Sequence, residues 1–178
     1  MCGFVGFTNY INNSNIVLEN MMNKIIHRGP DSGGTYIDDG IALGFRRLSI
    51  IDLAQGDQPI LNEDGSKVLL FNGEIYNFQS IREKLIAAGH KFKTKTDSEV
   101  LLHGYEEYGK NLLNMLRGMF AFVIWDKNTK ELFGARDFFG IKPLYYSLSG
   151  KSFLFGSEIK SFLPHPHFKQ EMNEDALE

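Results

Sequence analysis

The sequence begins with Met1-Cys2-Gly3-Phe4-Val5-Gly6, and this stretch holds the only cysteine among the 178 residues. Apolar Phe4 and Val5 between two glycines predict a short buried strand. The glycines suit places where other backbone or a substrate comes close. The stretch therefore predicts a buried strand with a thiol at its start.

Removal of Met1 would give Cys2 a base of its own. A free α-amine has a pKa of roughly 7.7–8.0 and a thiol one of about 8.5, so the two groups can exchange a proton near neutral pH. Cys2 is then a candidate nucleophile. The alternative is that the thiol is only a small apolar group that packs in the core, as most buried cysteines do.

Composition favours one soluble globular domain, with 43% apolar and 23% charged residues. The net charge of −3, without sustained runs of lysine or arginine, argues against nucleic acid or a membrane surface as the main partner. One cysteine cannot form an internal disulfide, and no secretory signal is recognisable, so we expect a cytoplasmic protein.

The order of patterns predicts hairpins of strands with helices between them. Ser14 should cap a first helix with an apolar stripe running from Ile16 to Ile26. Thr96 should cap a later helix, which Gly109 ends. Predicted hairpins pair 34–38 with 41–45, 119–125 with 131–135, and 144–148 with 153–156. Such an order indicates an α+β protein with antiparallel sheets.

Asn72-Gly73 follows a predicted strand and is a candidate oxyanion hole. A nucleophilic cysteine that attacks a carbonyl needs donors aimed at the developing negative charge, and this pair offers a side-chain amide beside a backbone N–H. The alternative is a tight turn, because Asn-Gly is the strongest hairpin dipeptide.

Charged residues in two parts of the sequence could bind the two ends of a substrate. Arg46 and Arg47 lie at the end of a predicted strand, where alternation points them to opposite faces, so that one can reach a carboxylate in a cleft. Asp97 in the first turn of a helix could bind an ammonium group. The alternatives are two solvated arginines and an acid that complements the helix dipole.

Two other patterns resemble ligand-binding motifs but are explained more simply. Residues 31–34, DSGG, resemble a phosphate-binding loop but lack its lysine, and are interpreted as a turn. The five histidines are scattered, and His165 and His167 have a metal-like spacing only by composition, so no metal is predicted.

Taken together, several segments in the same order resemble the class II glutamine amidotransferase domain, whose nucleophile is an N-terminal cysteine. These are MCG (1–3), HRGPD (27–31), RLSIID (47–52), QP (58–59), NGEIYN (72–77) and TDSE (96–99). Four later segments resemble the glutaminase domain of glutamine-hydrolysing asparagine synthetases: GMFAF (118–122), RD (136–137), GIKPLY (140–145) and SEIK (157–160). The resemblance implies an N-terminal nucleophile hydrolase fold, an α-β-β-α sandwich.

The resemblance also assigns roles to residues. It implies that Cys2 is the nucleophile and that Asn72 and the Gly73 N–H form the oxyanion hole. Arg47 would bind the α-carboxylate of glutamine, and Asp97, with Glu74 nearby, its α-ammonium group. Glutamine would be hydrolysed through a thioester, without a cofactor or metal.

The resemblance covers one part of a larger enzyme. Residues 1–163 would be the glutaminase domain and residues 164–178 the start of a linker to a synthetase domain. The Ser-Gly-Gly-x-Asp-Ser loop with which that domain binds ATP does not occur in this sequence, so ATP and Mg²⁺ would belong to the other domain. A homodimer is one possible assembly of the chain.

Three alternatives also stay open at this point. The chain could be the glutaminase domain of an amidotransferase with a different ammonia acceptor, an acylase with an N-terminal nucleophile acting on some other amide, or a domain that only binds.

Overall fold

The computed structural model describes residues 2–9, 11–48 and 57–171, and these form two antiparallel sheets with three α-helices. The strands are β1 (Gly3–Thr8), β2 (Ser32–Asp38), β3 (Ile41–Arg47), β4 (Ile60–Leu61), β5 (Lys67–Ile75), β6 (Gly118–Asp126), β7 (Glu131–Arg136), β8 (Tyr145–Ser149) and β9 (Ser152–Gly156). The helices are α1 (Ser14–Lys24), α2 (Phe78–Ala87) and α3 (Asp97–Tyr108). Shorter 3₁₀ helices span Ile26–Arg28, Gly109–Asn114 and Ile159–Phe162.

The two sheets pack face to face and carry helices on their outer faces. The five-stranded sheet has the order β2-β3-β1-β9-β8, and the four-stranded sheet has the order β4-β5-β6-β7. Apolar side chains fill three layers: one between the sheets, one between β5–β6 and helices α2 and α3, and one between the five-stranded sheet and α1. This is the α-β-β-α sandwich that the family resemblance implies, and it confirms the α+β class with antiparallel sheets that the sequence patterns predict.

Strand β1 lies at the centre of the five-stranded sheet, as its apolar sequence suggests. Its neighbours are β3 on one side and β9 on the other, with Gly3 opposite Arg46 and Gly6 opposite Phe155. A β-carbon on Gly6 would lie 2.3 Å from the Phe155 ring, so only glycine fits at this position. The predicted N-terminal strand is therefore confirmed.

Most predicted turns and helix ends are confirmed. Strands β2 and β3 pair from Ser32–Arg47 to Asp38–Ile41 around the Asp39-Gly40 turn. Thr96 caps α3 by accepting a hydrogen bond from the Glu99 N–H at 3.4 Å.

Three local predictions were wrong. Ser14 is the first residue of α1 rather than its cap, and its hydroxyl bonds to Ile11. The buried stripe of α1 includes Leu18 but not Ile16, which is 53% exposed. Residues 31–34 do not form a turn, since Ser32 already begins β2 and pairs with Arg47.

The segment after the last 3₁₀ helix packs back onto the sheet. His165 is 1% exposed and stacks edge-on against Phe7 of β1, with ring centroids 4.8 Å apart. Phe168 packs against Phe162 at 5.6 Å. The boundary predicted after residue 163 stays a prediction, and residues 172–178 of the predicted linker 164–178 lie outside the described residues.

No described helix is both long and apolar enough to cross a bilayer.

Candidate active site

A cavity of about 320 Å³ opens at one end of the sandwich, where polar residues follow the apolar residues on the inner faces of both sheets. Five of the six predicted site residues line it: Cys2, Asn72, Gly73, Glu74 and Asp97. They come from the residue before β1, from β5 and from the start of α3. The cavity is therefore the candidate active site.

Cys2 reaches the cavity because it precedes β1 on the inner face of its sheet. Phe4 belongs to the core between the sheets, and alternation places Cys2 on the same side, where it is half-buried. Its Sγ accepts a hydrogen bond from the Leu48 N–H at 3.4 Å, and the thiol faces the Leu48 carbonyl oxygen at 3.6 Å. The Cys2 carbonyl accepts from Arg28 Nε at 3.1 Å. Met1 lies outside the described residues.

Asn72 occupies the corresponding position on the opposing sheet. Val68 and Leu70 of β5 point into the core between the sheets, and Asn72 is the next residue on that face. It is 3% exposed, yet its Nδ2 has no hydrogen-bond partner within the described part of the chain. A buried amide donor without a partner is costly, which marks it as a donor kept for a ligand.

Gly73 presents its N–H at an open edge of the same strand. The N–H of Phe71 donates to Gln58 Oε1 at 2.6 Å, and the N–H of Ile75 donates to Asp97 Oδ2 at 2.9 Å. Alternation in an antiparallel ladder directs the Gly73 N–H to that same edge, between those two acceptors. Strand β4 has ended by then, since its last pairs are with Leu69 and Val68.

The sequence prediction for this segment was wrong in one respect and right in another. Asn72 to Ile75 were expected to follow the strand or form a turn, but they continue β5 and pair with β6 as far as Gly118. The pair is thus neither a hairpin turn nor a loop. The two donors do reach one cavity, as the oxyanion-hole hypothesis requires.

Asp97 lies at the cavity side of α3. Burial raises the pKa of its carboxyl group above the ordinary value, and the neighbouring charge of Glu74 acts in the same direction, against hydrogen bonds from the backbone. A carboxylate whose charge is costly in the free protein gains from a cationic ligand. Glu74 is itself exposed at the cavity rim.

Arg47 is the one predicted site residue that is not among the described residues lining the cavity. Alternation places it on the inner face of its sheet, while Arg46 points outward and donates to Asn23 of α1 at 2.5 Å. The predicted divergence of the two arginines is confirmed. Arg47 Nη1 pairs with Asp57 Oδ1 at 3.0 Å, and the segment between them lies largely outside the described residues.

Sequence reasoning missed Lys142 and Gln58, which also line the cavity. Asp137, buried among the N–H groups of Phe120, Ile141 and Lys142, fixes the loop that carries Lys142. Burial works to raise the pKa of Asp137, but these backbone donors outweigh it and lower the pKa. The signals in the sequence were the segments QP (58–59) and GIKPLY (140–145), which were recognised as part of the resemblance but given no role.

The arrangement combines a thiol, two convergent N–H donors and a buried acid in one cavity. It can attack a carbonyl, stabilise an oxyanion and bind a cationic group. The model of the family described as "Glutamine amidotransferase domain" matches residues 1–178. The chain belongs to this family.

Two curated relatives and one solved structure place this amidotransferase domain more closely. It is 48% identical to "Asparagine synthetase [glutamine-hydrolyzing] 1" of Bacillus subtilis, over 92% of this chain and 27% of that protein. It is 43% identical to "Amidase chry2" of Gibberella zeae, over 82% of this chain and 22% of that protein. The chain thus spans about a quarter of the length of these relatives.

The solved structure is glutamine phosphoribosylpyrophosphate amidotransferase from B. subtilis, in a complex with ADP and GMP. It superposes with a TM-score of 0.76 at 24% identity, over 90% of this chain and 43% of that one. At this identity the match speaks for the fold alone. The amidotransferase domain described here therefore has the N-terminal nucleophile hydrolase fold.

Proposed function

We propose that this domain hydrolyses glutamine to glutamate and ammonia, with Cys2 as the nucleophile. The observation that carries the proposal is the cavity in which Cys2 meets the unpartnered amide of Asn72 and the N–H of Gly73. Family membership and the asparagine synthetase relatives support glutamine as the substrate.

The chemistry requires that Met1 is removed. The α-amine of Cys2 then takes the proton of the thiol, and Sγ attacks the side-chain amide carbon of glutamine. Asn72 Nδ2 and the Gly73 N–H donate to the oxyanion that forms. The protonated amine gives its proton to the leaving nitrogen, ammonia departs, and a glutamyl thioester remains. Water adds to the thioester, gives a proton to the amine, and releases glutamate and the thiol.

Charged residues would hold the amino-acid end of glutamine. Asp97, with Glu74 beside it, is proposed to bind the α-ammonium group, and its position at the cavity and its raised pKa support this role. Arg47 is proposed to bind the α-carboxylate, because it lies on the inner face at the same end of the sheet as Cys2. Its pairing with Asp57 would then be exchanged for the substrate or shared with it.

In the whole protein, we propose that the ammonia serves ATP-dependent synthesis of asparagine from aspartate in a C-terminal synthetase domain. The name and length of the B. subtilis relative support this. ATP and Mg²⁺ would act in that domain and not here. Another ammonia acceptor is the second candidate, because a relative 43% identical carries the name amidase. Cytoplasmic location and a homodimer stay predictions.

Replacing Cys2 by alanine tests the proposal. Cys2→Ala should lose glutaminase activity to the background level, while its thermal unfolding stays close to wild type, because among the described residues the thiol hydrogen-bonds only to the Leu48 backbone and alanine keeps the apolar β-carbon at this half-buried position. Separation of the forms with and without Met1 by intact mass gives a second arm. Equal activity with Met1 retained would rule out the α-amine as the base, and activity in Cys2→Ala would overturn the proposal.

A further inference from the structure

A second cluster of polar side chains lies away from the cavity-lining residues, beside the middle of α3 and the segment between β4 and β5. It holds two imidazoles, from His90 in the segment between α2 and α3 and from His103 within α3, together with Glu106 on the next turn. One ligand-type atom from each of the three lies within 4.8 Å of the others. The sequence analysis missed this group, because the two histidines are 13 positions apart in the sequence and only the fold brings them together.

Both imidazoles direct the same nitrogen at one carboxylate oxygen. His103 Nδ1 lies 2.8 Å from Glu106 Oε2, and His90 Nδ1 lies 4.0 Å from the same atom. The other oxygen of Glu106 accepts from Asn62 Nδ2 at 2.6 Å, which fixes the carboxylate. Glu63 Oε2, 3.7 Å from His103 Nδ1, offers a fourth ligand.

A four-coordinate zinc site would need only small shifts from this arrangement. Ligand atoms about 2.0–2.2 Å from a tetrahedral zinc lie roughly 3.3–3.5 Å from each other. The three carboxylate–imidazole separations of 2.8, 3.7 and 4.0 Å fall on both sides of that value, and the ligand atoms of His90, His103 and Glu106 all lie within 4.8 Å of one another. His103 is 2% exposed, whereas Glu63 is 43% exposed in its side chain, so an ion could enter from solvent on the Glu63 side.

The far nitrogens of both rings also face carboxylates. His90 Nε2 lies 3.1 Å from Glu107 Oε2, and His103 Nε2 lies 3.6 Å from Glu99 Oε1. Metal-binding histidines usually donate their second N–H to such a group, which holds the ring in position and makes the ligating nitrogen more basic. The cluster therefore has an outer set of acceptors beside the inner set of ligands.

The surroundings carry an excess of negative charge. Four glutamates contact the two imidazoles, and Lys67, whose charge lowers the pKa of Glu106, is itself paired with Asp126 at 3.3 Å. A divalent cation would neutralise part of this excess and would displace protons from the ring nitrogens.

We propose that His90, His103 and Glu106, with Glu63 as fourth ligand, form a site for a divalent transition metal, in the first place Zn²⁺. The imidazole and carboxylate ligands exclude a preference for Mg²⁺ or Ca²⁺, which select oxygen ligands. The metal would tie the segment before α3 to the body of that helix. No step of glutamine hydrolysis depends on it.

The test must exclude Cys2, since a thiol is itself a zinc ligand. Untagged chain carrying Cys2→Ala, freed of metal with a chelator, is titrated with Co²⁺ and, separately, with Zn²⁺ in competition with a chromophoric chelator. We expect one equivalent to bind, with Co²⁺ giving the visible absorption of a four-coordinate ion and Zn²⁺ raising the unfolding temperature. Binding weaker than millimolar, or Co²⁺ without that absorption, would overturn the proposal.

Matched variants locate the ion. His90→Gln, at a partly exposed residue whose loss should not unfold the chain, should weaken Zn²⁺ binding at least tenfold, as should Glu106→Gln. Glu107→Gln should weaken it by less than His90→Gln. His27→Gln, at an exposed histidine in the 3₁₀ helix Ile26–Arg28, should bind as before. Unchanged affinity in both His90→Gln and Glu106→Gln would show that the ion binds elsewhere.

Discussion

Asn72 serves the proposed reaction rather than the stability of the fold. Its neighbours on the same face, Val68 and Leu70, are buried in the core between the sheets, and Asn72 continues their row with an amide that bonds to no described group. Such a donor contributes little to the folded state. Its role is to donate a hydrogen bond to the oxyanion, whose negative charge exists only during the reaction.

Asn72→Ala should therefore lower kcat about 10²–10³-fold and leave KM for glutamine nearly unchanged. Steady-state glutaminase kinetics measure both. The unfolding temperature should stay within a few degrees of wild type, because no hydrogen bond of the amide is lost. Asn128→Ala, at an amide in the β6–β7 turn, is the control and should leave both constants unchanged. A rise in KM alone would remove Asn72 from the oxyanion hole.

Asp97 should give the reaction an acid limb. Burial raises the pKa of its carboxyl group, so the group takes up a proton at a higher pH than an ordinary aspartate does. A protonated Asp97 cannot attract the α-ammonium group of glutamine. On acidification, KM should rise while the pH is still above the ordinary value of 3.8.

The variant Asp97→Asn isolates this effect. Its KM should be raised at least tenfold at neutral pH and should show no further rise in the same acidic range. Asp64→Asn, in the turn before β5, should keep the wild-type profile. If wild type and Asp97→Asn gave parallel KM profiles, the limb would belong to another group.

At the scale of elements, the sequence predicted the hairpins but not the reach of β5. Asp39-Gly40 marks a turn by its own conformational preference, so β2 and β3 could be found locally. The continuation of β5 through Asn72 and Gly73 depends on pairing with Ala121 and Phe120, almost fifty residues later. Only the tertiary structure decides between strand and turn for this pair.

The same limit explains the site residues that were missed. Lys142 reaches the cavity because Asp137 collects backbone N–H groups from its own loop and from β6. His90 and His103 meet because the segment after α2 folds back on α3. Periodicity reports what one element buries, and it cannot report which elements face each other.

The segment after the last 3₁₀ helix should make the fold sensitive to acid through His165. This residue is 1% exposed, and its Nε2 has no hydrogen-bond partner in the described part of the chain. Burial, with His167 nearby, lowers its pKa from 6.5 to about 4. The folded protein thus binds this proton more weakly than the unfolded chain does.

The free energy of unfolding should consequently fall as the pH drops from 6.5 towards 4, by up to about 3 kcal/mol from this group. Urea unfolding at several pH values measures it. His165→Gln should reduce the slope over that range by this contribution, whatever its stability at pH 7, and His167→Gln should largely retain the slope. An equal slope in His165→Gln and wild type would contradict the assignment.

At the scale of the whole chain, the proposed function assigns one reaction, glutamine hydrolysis, to residues 1–178. The loop that would bind ATP in a synthetase domain does not occur in the sequence, while the glutaminase cavity lies within the described residues. The chain should therefore release one ammonia per glutamate from glutamine without ATP, and should not convert aspartate. Glutamate, ammonia and ATP are measured in the same reaction. Consumption of ATP that depends on aspartate would contradict the assignment of asparagine synthesis to a separate domain.

The central place of β1 has a consequence for the timing of biosynthesis. Its two partners are made far apart, since β3 ends at Arg47 and β9 begins at Ser152. At about 5–20 residues per second, a ribosome needs roughly 5–20 s to cover that interval. During that time the N-terminal strand has at most one edge paired. An aminopeptidase would have this period in which to expose the amine of Cys2, before the last strand closes the sheet around it.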